Sequence, residues 1–471
     1  MTEFTLSIVA QAVAALTFLV LAATVVRRWV RPLRSLYVPN AVTAGIIGLL
    51  IGPQVLGKLF DPDSRMAEGL FGNEILAVWS QLPGLLINVV FAAILLGKSI
   101  PSVREIWRRS SSQALFGATI SFGQYALGLL LAVAVLVPVF DMSELSGALL
   151  EISFSGGHGT AAGLGQTMTD NGFSEGTDLA LGLATVGLLG GILLGTLILN
   201  RAVRSDKITV AREVEVDHRD ERHELSNLDT APEIPEARQA DPATSPLTVT
   251  IGAILLAILI GWAIQQILIG IEVLIGGGSR GEAFINEIPL FPFTIIGGAL
   301  LQLLIVARGW SHLVPRSLVN QAAGVALDLL ITAAIATVSL SVIGDNAIPF
   351  VLMVVVGLGW SVVALLFLAK RFYGHRWFER GIGDFGQSSG TVASGFLLID
   401  MSDPDAISGA KESYGYKQLL YEPFFGGGVV TALAIPVIAQ VGAWPACIAA
   451  TILTLVCIAL GILMQRRATP A

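Results

Sequence analysis

Apolar residues along this chain come in runs of about 20, the length a helix needs to cross the hydrocarbon core of a bilayer. In the first half the runs are 5–26, 37–57, 79–97, 113–138 and 178–200. In the second they are 247–269, 291–307, 320–343, 347–369, 418–440 and 444–465. None holds more than one charged residue. The pattern predicts an all-α integral membrane protein.

Two glycine-rich passages, 148–170 and 381–400, interrupt the apolar sequence and match each other. The first contains Phe154-Ser155-Gly156-Gly157-His158-Gly159-Thr160-Ala161-Ala162, the second Phe385-Gly386-Gln387-Ser388-Ser389-Gly390-Thr391-Val392-Ala393. Phe, Gly-Thr and the final Ala fall at the same spacing in both. Irregular backbone at membrane depth is tolerated only where it is buried in protein or lines a cavity. Interruptions at corresponding places in two halves point to a transporter's substrate site. Each passage is therefore expected to be a re-entrant hairpin.

Basic residues orient the spans. Arg27, Arg28, Arg31 and Arg34 follow the first run, Lys98, Arg104, Arg108 and Arg109 the third, and Arg201, Arg204 and Lys207 the fifth. Arg308 and Arg316, then Lys370, Arg371, Arg376 and Arg380, and finally Arg466 and Arg467 continue the series. Of the 28 Lys and Arg, only Lys58, Arg65 and Arg280 fall on the opposite side. The positive-inside rule then puts the N-terminus outside and the C-terminus in the cytoplasm. The first half starts outside and the second inside, so two inverted repeats of five transmembrane helices are expected. The first covers 1–200, with hairpin 148–170 entering from outside. The second covers 247–443, with hairpin 381–400 entering from the cytoplasm, and 444–471 adds one extra C-terminal helix and a tail. The repeat extends to Leu85-Leu86-Ile87-Asn88 against Leu329-Leu330-Ile331-Thr332. Between the repeats, 201–246 carries seven basic and eleven acidic residues with four prolines. Such a segment cannot bury a core and reads as a polar cytoplasmic linker.

Composition agrees. The chain is 54% hydrophobic and 13% charged, against about 25% charged in an ordinary soluble domain. A soluble protein is not expected on this basis, and no nucleic-acid partner is expected. Cys447 and Cys457 both sit in the last run and read as small hydrophobes, with no disulfide or metal framework. No basic residue precedes the first run, which argues against a cleaved signal peptide.

Chemistry is expected at the two interruptions. Backbone N–H groups at a broken-helix N-terminus attract an anion, and Ser and Thr hydroxyls add neutral donors and acceptors. Gly156, Gly157, His158, Gly159 and Thr160 are expected to line one side of a substrate site. Gln387, Ser388, Ser389, Gly390 and Thr391 are expected to line the other. Asp328, a carboxylate within an apolar run, is a functional candidate by default; with Asn88, Ser155 and Thr332 it is a candidate sodium ligand. Glu151, Asp384 and Glu422 are weaker candidates, the last two placed near the cytoplasmic interface. Gly381-Ile382-Gly383-Asp384 fits half of the intramembrane aspartyl protease signature, but no Tyr-Asp dipeptide accompanies it.

The passage Ser155-Gly156-Gly157-His158-Gly159-Thr160, with Gly172-Phe173 and Ala184-Thr185-Val186-Gly187-Leu188-Leu189-Gly190-Gly191, resembles the bacterial sodium/glutamate symporter family. The resemblance implies a homodimer in the bacterial inner membrane, with a core domain carrying both hairpins against a scaffold domain. It also implies elevator-type movement and uptake of glutamate or a related amino-acid anion with Na+ as coupling ion, and no other cofactor. The second passage lacks the Gly-x-Gly-Ala-Thr-Pro-Thr run of better-known members. A sodium- or proton-coupled carrier of another organic anion therefore stays open beside the glutamate reading.

Overall fold

The computed structural model describes residues 5–35, 38–61, 63–98, 103–204, 245–276, 279–281, 283–374, 376–404, 406 and 408–468. Among them the secondary structure is all helical. Eight helices among the described residues are long and apolar enough to cross a membrane: Leu6–Trp29, Arg65–Ala92, Ser110–Phe140, Gly176–Arg204, Pro246–Gly276, Arg316–Ala336, Ala347–Tyr373 and Ala443–Arg466. The expected spans 37–57 and 291–307 fall on the shorter apolar helices Asn40–Leu50 and Phe291–Ala307. The run 418–440 departs from expectation. It is broken between the helices Ala410–Tyr421 and Val429–Val441, because Pro423 lacks an N–H and Gly426 and Gly427 take positive φ angles of 66° and 107°. Most of the predicted linker 201–246 lies outside the described residues.

The chain divides into two compact units, and each draws segments from both halves of the sequence. The first comprises Met1–Gly97, His158–Gly182 and Ile234–Ala347. Its Leu6–Trp29 helix buries Ala12, Leu16, Leu19 and Ala23 on one stripe, against Val78, Trp79, Ala333 and Ala336. Phe18, Leu21 and Val25 on the same helix stay exposed, as a lipid-facing side requires. Small residues let helices approach closely, the usual packing device in membranes. A Cβ at Gly45 would lie 2.6 Å from Ile335 Cβ, and one at Gly297 would lie 2.1 Å from the Ala257 carbonyl. Arg316 closes the end of the Asn73–Ala92 helix by donating from Nη1 to the carbonyls of Ala93 (2.6 Å) and Leu96 (2.8 Å).

The second unit comprises Lys98–Gly157, Leu183–Glu233 and Ile348–Ala471. Its core gathers Phe116, Ile120, Leu365, Phe372, Phe378, Ile382, Phe385 and Tyr414. The extra C-terminal helix, Ala443–Ala468, packs along Val103–Leu131, and Gly461 admits the Phe372 ring there. Cys447 and Cys457 are buried and free, as small hydrophobes.

Candidate functional site

The first interruption begins as a short 3-10 turn, Glu144–Ala148, followed by a π turn, Glu151–Ser155. Helical geometry resumes at Gly157, whose φ of +69° suits only glycine without strain. The second interruption is a helix, Trp377–Ser389, stopped at Gly390 and restarted as Val392–Ser402. Thr391 caps the new helix, its Oγ1 accepting from the Ser394 N–H at 3.2 Å.

Within the second unit these two breaks meet. A Cβ on Gly157 would lie 3.2 Å from the Gly390 carbonyl oxygen. Gln124 ties them together: its Nε2 donates to the Ser388 carbonyl at 2.7 Å, and its Oε1 accepts from Ser155 Oγ at 2.7 Å. Phe154 and Phe385, the matched aromatics, are fully buried. The glycine-rich stretch in Gly176–Arg204 makes room for them. A Cβ at Gly187 would lie 2.2 Å from the Phe154 ring and 2.7 Å from the Ser389 carbonyl, and one at Gly191 would lie 2.5 Å from Ser389 Cβ.

A third break, unforeseen in the sequence, joins them. Gly426 approaches the Ser155 carbonyl, its Cβ position 3.1 Å away. The Gly426 N–H donates to Glu151 Oε1 at 3.1 Å, which also accepts from Thr431 Oγ1 at 3.0 Å. Tyr125 donates to Glu151 Oε2 at 2.5 Å. The fully buried Glu151 carboxylate thus has a donor at each oxygen. Ser121 Oγ lies 2.5 Å from the Tyr421 hydroxyl and donates to Ser155 Oγ at 3.4 Å.

Asp384, expected above near the cytoplasmic interface, has its carboxylate buried within the protein. Its Oδ1 accepts from Lys417 Nζ at 2.6 Å, and its Oδ2 accepts from Tyr373 at 2.8 Å and Gln113 at 3.2 Å. A carboxylate this deep is retained because an ammonium and two donors replace its hydration.

The predicted residues separate by unit. Ser155, Gly156, Gly157, Gln387, Ser388, Ser389, Gly390 and Thr391 belong to the second, and His158, Gly159, Thr160, Asn88, Asp328 and Thr332 to the first. Gln387 does not stand open: its amide exchanges hydrogen bonds with Gln418 and accepts from Lys417. Ser388 and Ser389 donate to the Phe385 carbonyl. In the first unit, a Cβ on Gly159 would lie 3.3 Å from Leu327. His158 and Thr160 are buried, while Asp328 is exposed. Thr332 donates to the Asp328 carbonyl at 2.7 Å. Asn88 donates within its own helix and keeps its buried Oδ1 without a hydrogen-bond partner. A cavity of about 480 Å³ in this unit is lined by Gln166, Asp170, Asn171, Gln265 and Glu287 among others, and by none of the predicted site residues. Its two carboxylates make it a poor anion site. Sequence reasoning missed Gln124, Lys417 and Tyr125; Lys417, at the edge of the run 418–440, was the one with a visible signal.

Replacing Gln124 by Leu removes both bonds that bridge the breaks. The expected cost is about 1–3 kcal/mol, the penalty for stranding buried polar partners, read as a lowered melting temperature of the purified protein. A melting temperature equal to wild type would show that the bridge does not hold the breaks.

The sequence model of the sodium/glutamate symporter family matches residues 4–377. The match takes in the first break and the glycine-rich stretch around Gly187, and ends before the second break. No curated protein matches the chain. A match over most of the sequence, on a chain whose described residues hold eight helices long and apolar enough to cross a membrane, establishes that this multi-pass membrane protein belongs to the sodium/glutamate symporter family, as a transporter and not an enzyme.

Proposed function

We propose that the protein carries glutamate or a related amino-acid anion into the cell with sodium, by elevator-type alternating access. The family supports sodium and glutamate as the transported species. The observation that carries the site is the meeting of Gly157 with Gly390 across the Gln124 bridge. In this reading 148–170 and 381–400 are re-entrant hairpins of two inverted repeats, and the protein is a homodimer in a bacterial inner membrane, N-terminus outside and C-terminus cytoplasmic. The recruitment of corresponding segments, 1–97 with 234–347, into one unit is what two related halves would give.

Gly156, Gly157, His158, Gly159, Thr160, Gly390 and Thr391 take the substrate-facing roles, the glycines by admitting it close to backbone N–H groups. Gln387, Ser388 and Ser389 shape the second break from behind, through the bonds described above. Asn88, Asp328, Thr332 and Ser155 are the proposed sodium ligands; the unpartnered Asn88 Oδ1 is the oxygen that most favours this. A second reading, proton coupling, is favoured by the buried Glu151 carboxylate.

Coupling requires each ligand to favour the state the other binds. Glutamate should therefore stabilise the purified protein in sodium chloride and not in choline chloride. At a hundredfold excess over Kd the gain is about 2.7 kcal/mol. Equal stabilisation in both salts would sink sodium coupling. Stabilisation in choline that grows on acidification would favour the proton reading, and stabilisation by a different organic anion would move the substrate.

A further inference from the structure

The reading above assigns no substrate or ion to the Lys417–Asp384 pair. Lys417 side-chain exposure is 1% and that of Asp384 is 0%, so neither charge meets water. Lys417 Nζ lies 2.6 Å from Asp384 Oδ1 and 2.7 Å from Gln387 Oε1. It stands over the Tyr421 ring at 4.1 Å and the Tyr414 ring at 5.3 Å. The remaining polar atoms are engaged elsewhere: Asp384 Oδ2 accepts from Tyr373 and Gln113, and Gln387 Nε2 donates to Gln418 Oε1 at 3.0 Å. Two oxygens, one formally charged, and two aromatic faces thus converge on a single point. The opposite wall is Gly117, where a Cβ would lie 2.7 Å from Lys417 Cε and 2.9 Å from Nζ. A lysine reaches this point only because that wall carries no side chain.

Oxygen ligands carrying a net negative charge, backed by ring faces, select a compact monovalent cation. An ammonium and an alkali ion are alternatives in such a place. The location matters as well: Asp384 and Gln387 lie one turn apart in Trp377–Ser389, the helix that stops at Gly390. A cation here neutralises the buried carboxylate and pins the last turn before the second break.

We propose that Asp384 Oδ1 and Gln387 Oε1 form a monovalent-cation site whose resident ion is the chain's own Lys417 ammonium. The tethered charge does permanently what a bound sodium or potassium ion would do reversibly. Removing the ammonium, while leaving Asp384, opens the site to an alkali cation from solution.

The test counts bound cation on the full-length protein in detergent, using radioactive sodium and rubidium, for wild type and Lys417→Met. Lys417→Met should bind one more monovalent cation per chain than wild type. Its melting temperature should rise more than that of wild type with sodium or potassium chloride, and not with choline chloride at equal ionic strength. Adding Asp384→Asn should abolish both gains. Equal cation counts in wild type and Lys417→Met would overturn the proposal, as would an extra cation that survives Asp384→Asn. Lys417→Met that fails to fold in any alkali salt, while Lys417→Met/Asp384→Asn folds, would overturn it too. Because each variant is counted against wild type, the outcome does not depend on the transported substrate or on the ions that couple to it.

Discussion

Asp384→Ala is expected to destabilise the protein by about 3–5 kcal/mol, the cost of leaving one member of a buried ion pair without its partner. The substitution strands the Lys417 ammonium among Tyr414, Tyr421 and the Gln387 amide, with water excluded. It also removes the acceptor for Tyr373 and for the Gln113 amide. Removing both charges together is a different case, because a buried pair replaced by neutral groups of similar size is often close to neutral in stability. Asp384→Asn/Lys417→Met should therefore recover most of the loss. Melting temperatures of the purified variants decide it. A single variant as stable as wild type would mean that the pair is not held closed in the membrane protein.

Gly187→Ala is expected to abolish most transport while leaving the protein inserted. The new Cβ would stand 2.2 Å from the Phe154 ring and 2.7 Å from the Ser389 carbonyl, touching both breaks at once. Phe154 cannot withdraw, since the far side of its ring already lies against Gly357, where a Cβ would be 1.9 Å away. Overpacking of this kind costs about 1–3 kcal/mol, here spent on displacing the two segments of the proposed site. Uptake should fall about tenfold or more, since about 1.4 kcal/mol is already a factor of ten. Gly252→Ala is the control: nothing lies within 4 Å of its Cβ position, and alanine favours the helix by about 1 kcal/mol. Equal uptake by Gly187→Ala and Gly252→Ala would remove Gly187 from the site.

Much of this architecture is legible without coordinates. Long apolar runs with at most one charge have few folds open to them in lipid, and the Phe-x-x-x-x-Gly-Thr interruptions stand out against them. The break at 422–428 was hidden for a physical reason. Hydropathy averages over a window, and Pro423 and Gly426 to Gly428 sit between apolar neighbours that carry the mean. Lys417 is visible as a charge at the edge of the run 418–440, but its partner is not. The positive-inside rule counts a basic residue by its place between spans and is blind to a partner 33 residues away in sequence, as Asp384 is. The space that admits it comes from Gly117, on a third helix. Gln124 had no pattern to announce it: a single amide in an apolar helix gains meaning only when Ser155 and Ser388 are seen on either side of it. Conversely, Asp328, the most conspicuous carboxylate in the sequence, stands exposed on its helix.

The central claim is that the chain couples an ion gradient to the movement of an amino-acid anion. Uptake of labelled glutamate into liposomes holding the purified protein, under an imposed inward sodium gradient and with a proton gradient as control, tests it most directly. Accumulation that requires sodium, and that collapses in Gly187→Ala, is the predicted result. Folded protein that accumulates no glutamate under the sodium gradient would contradict the account.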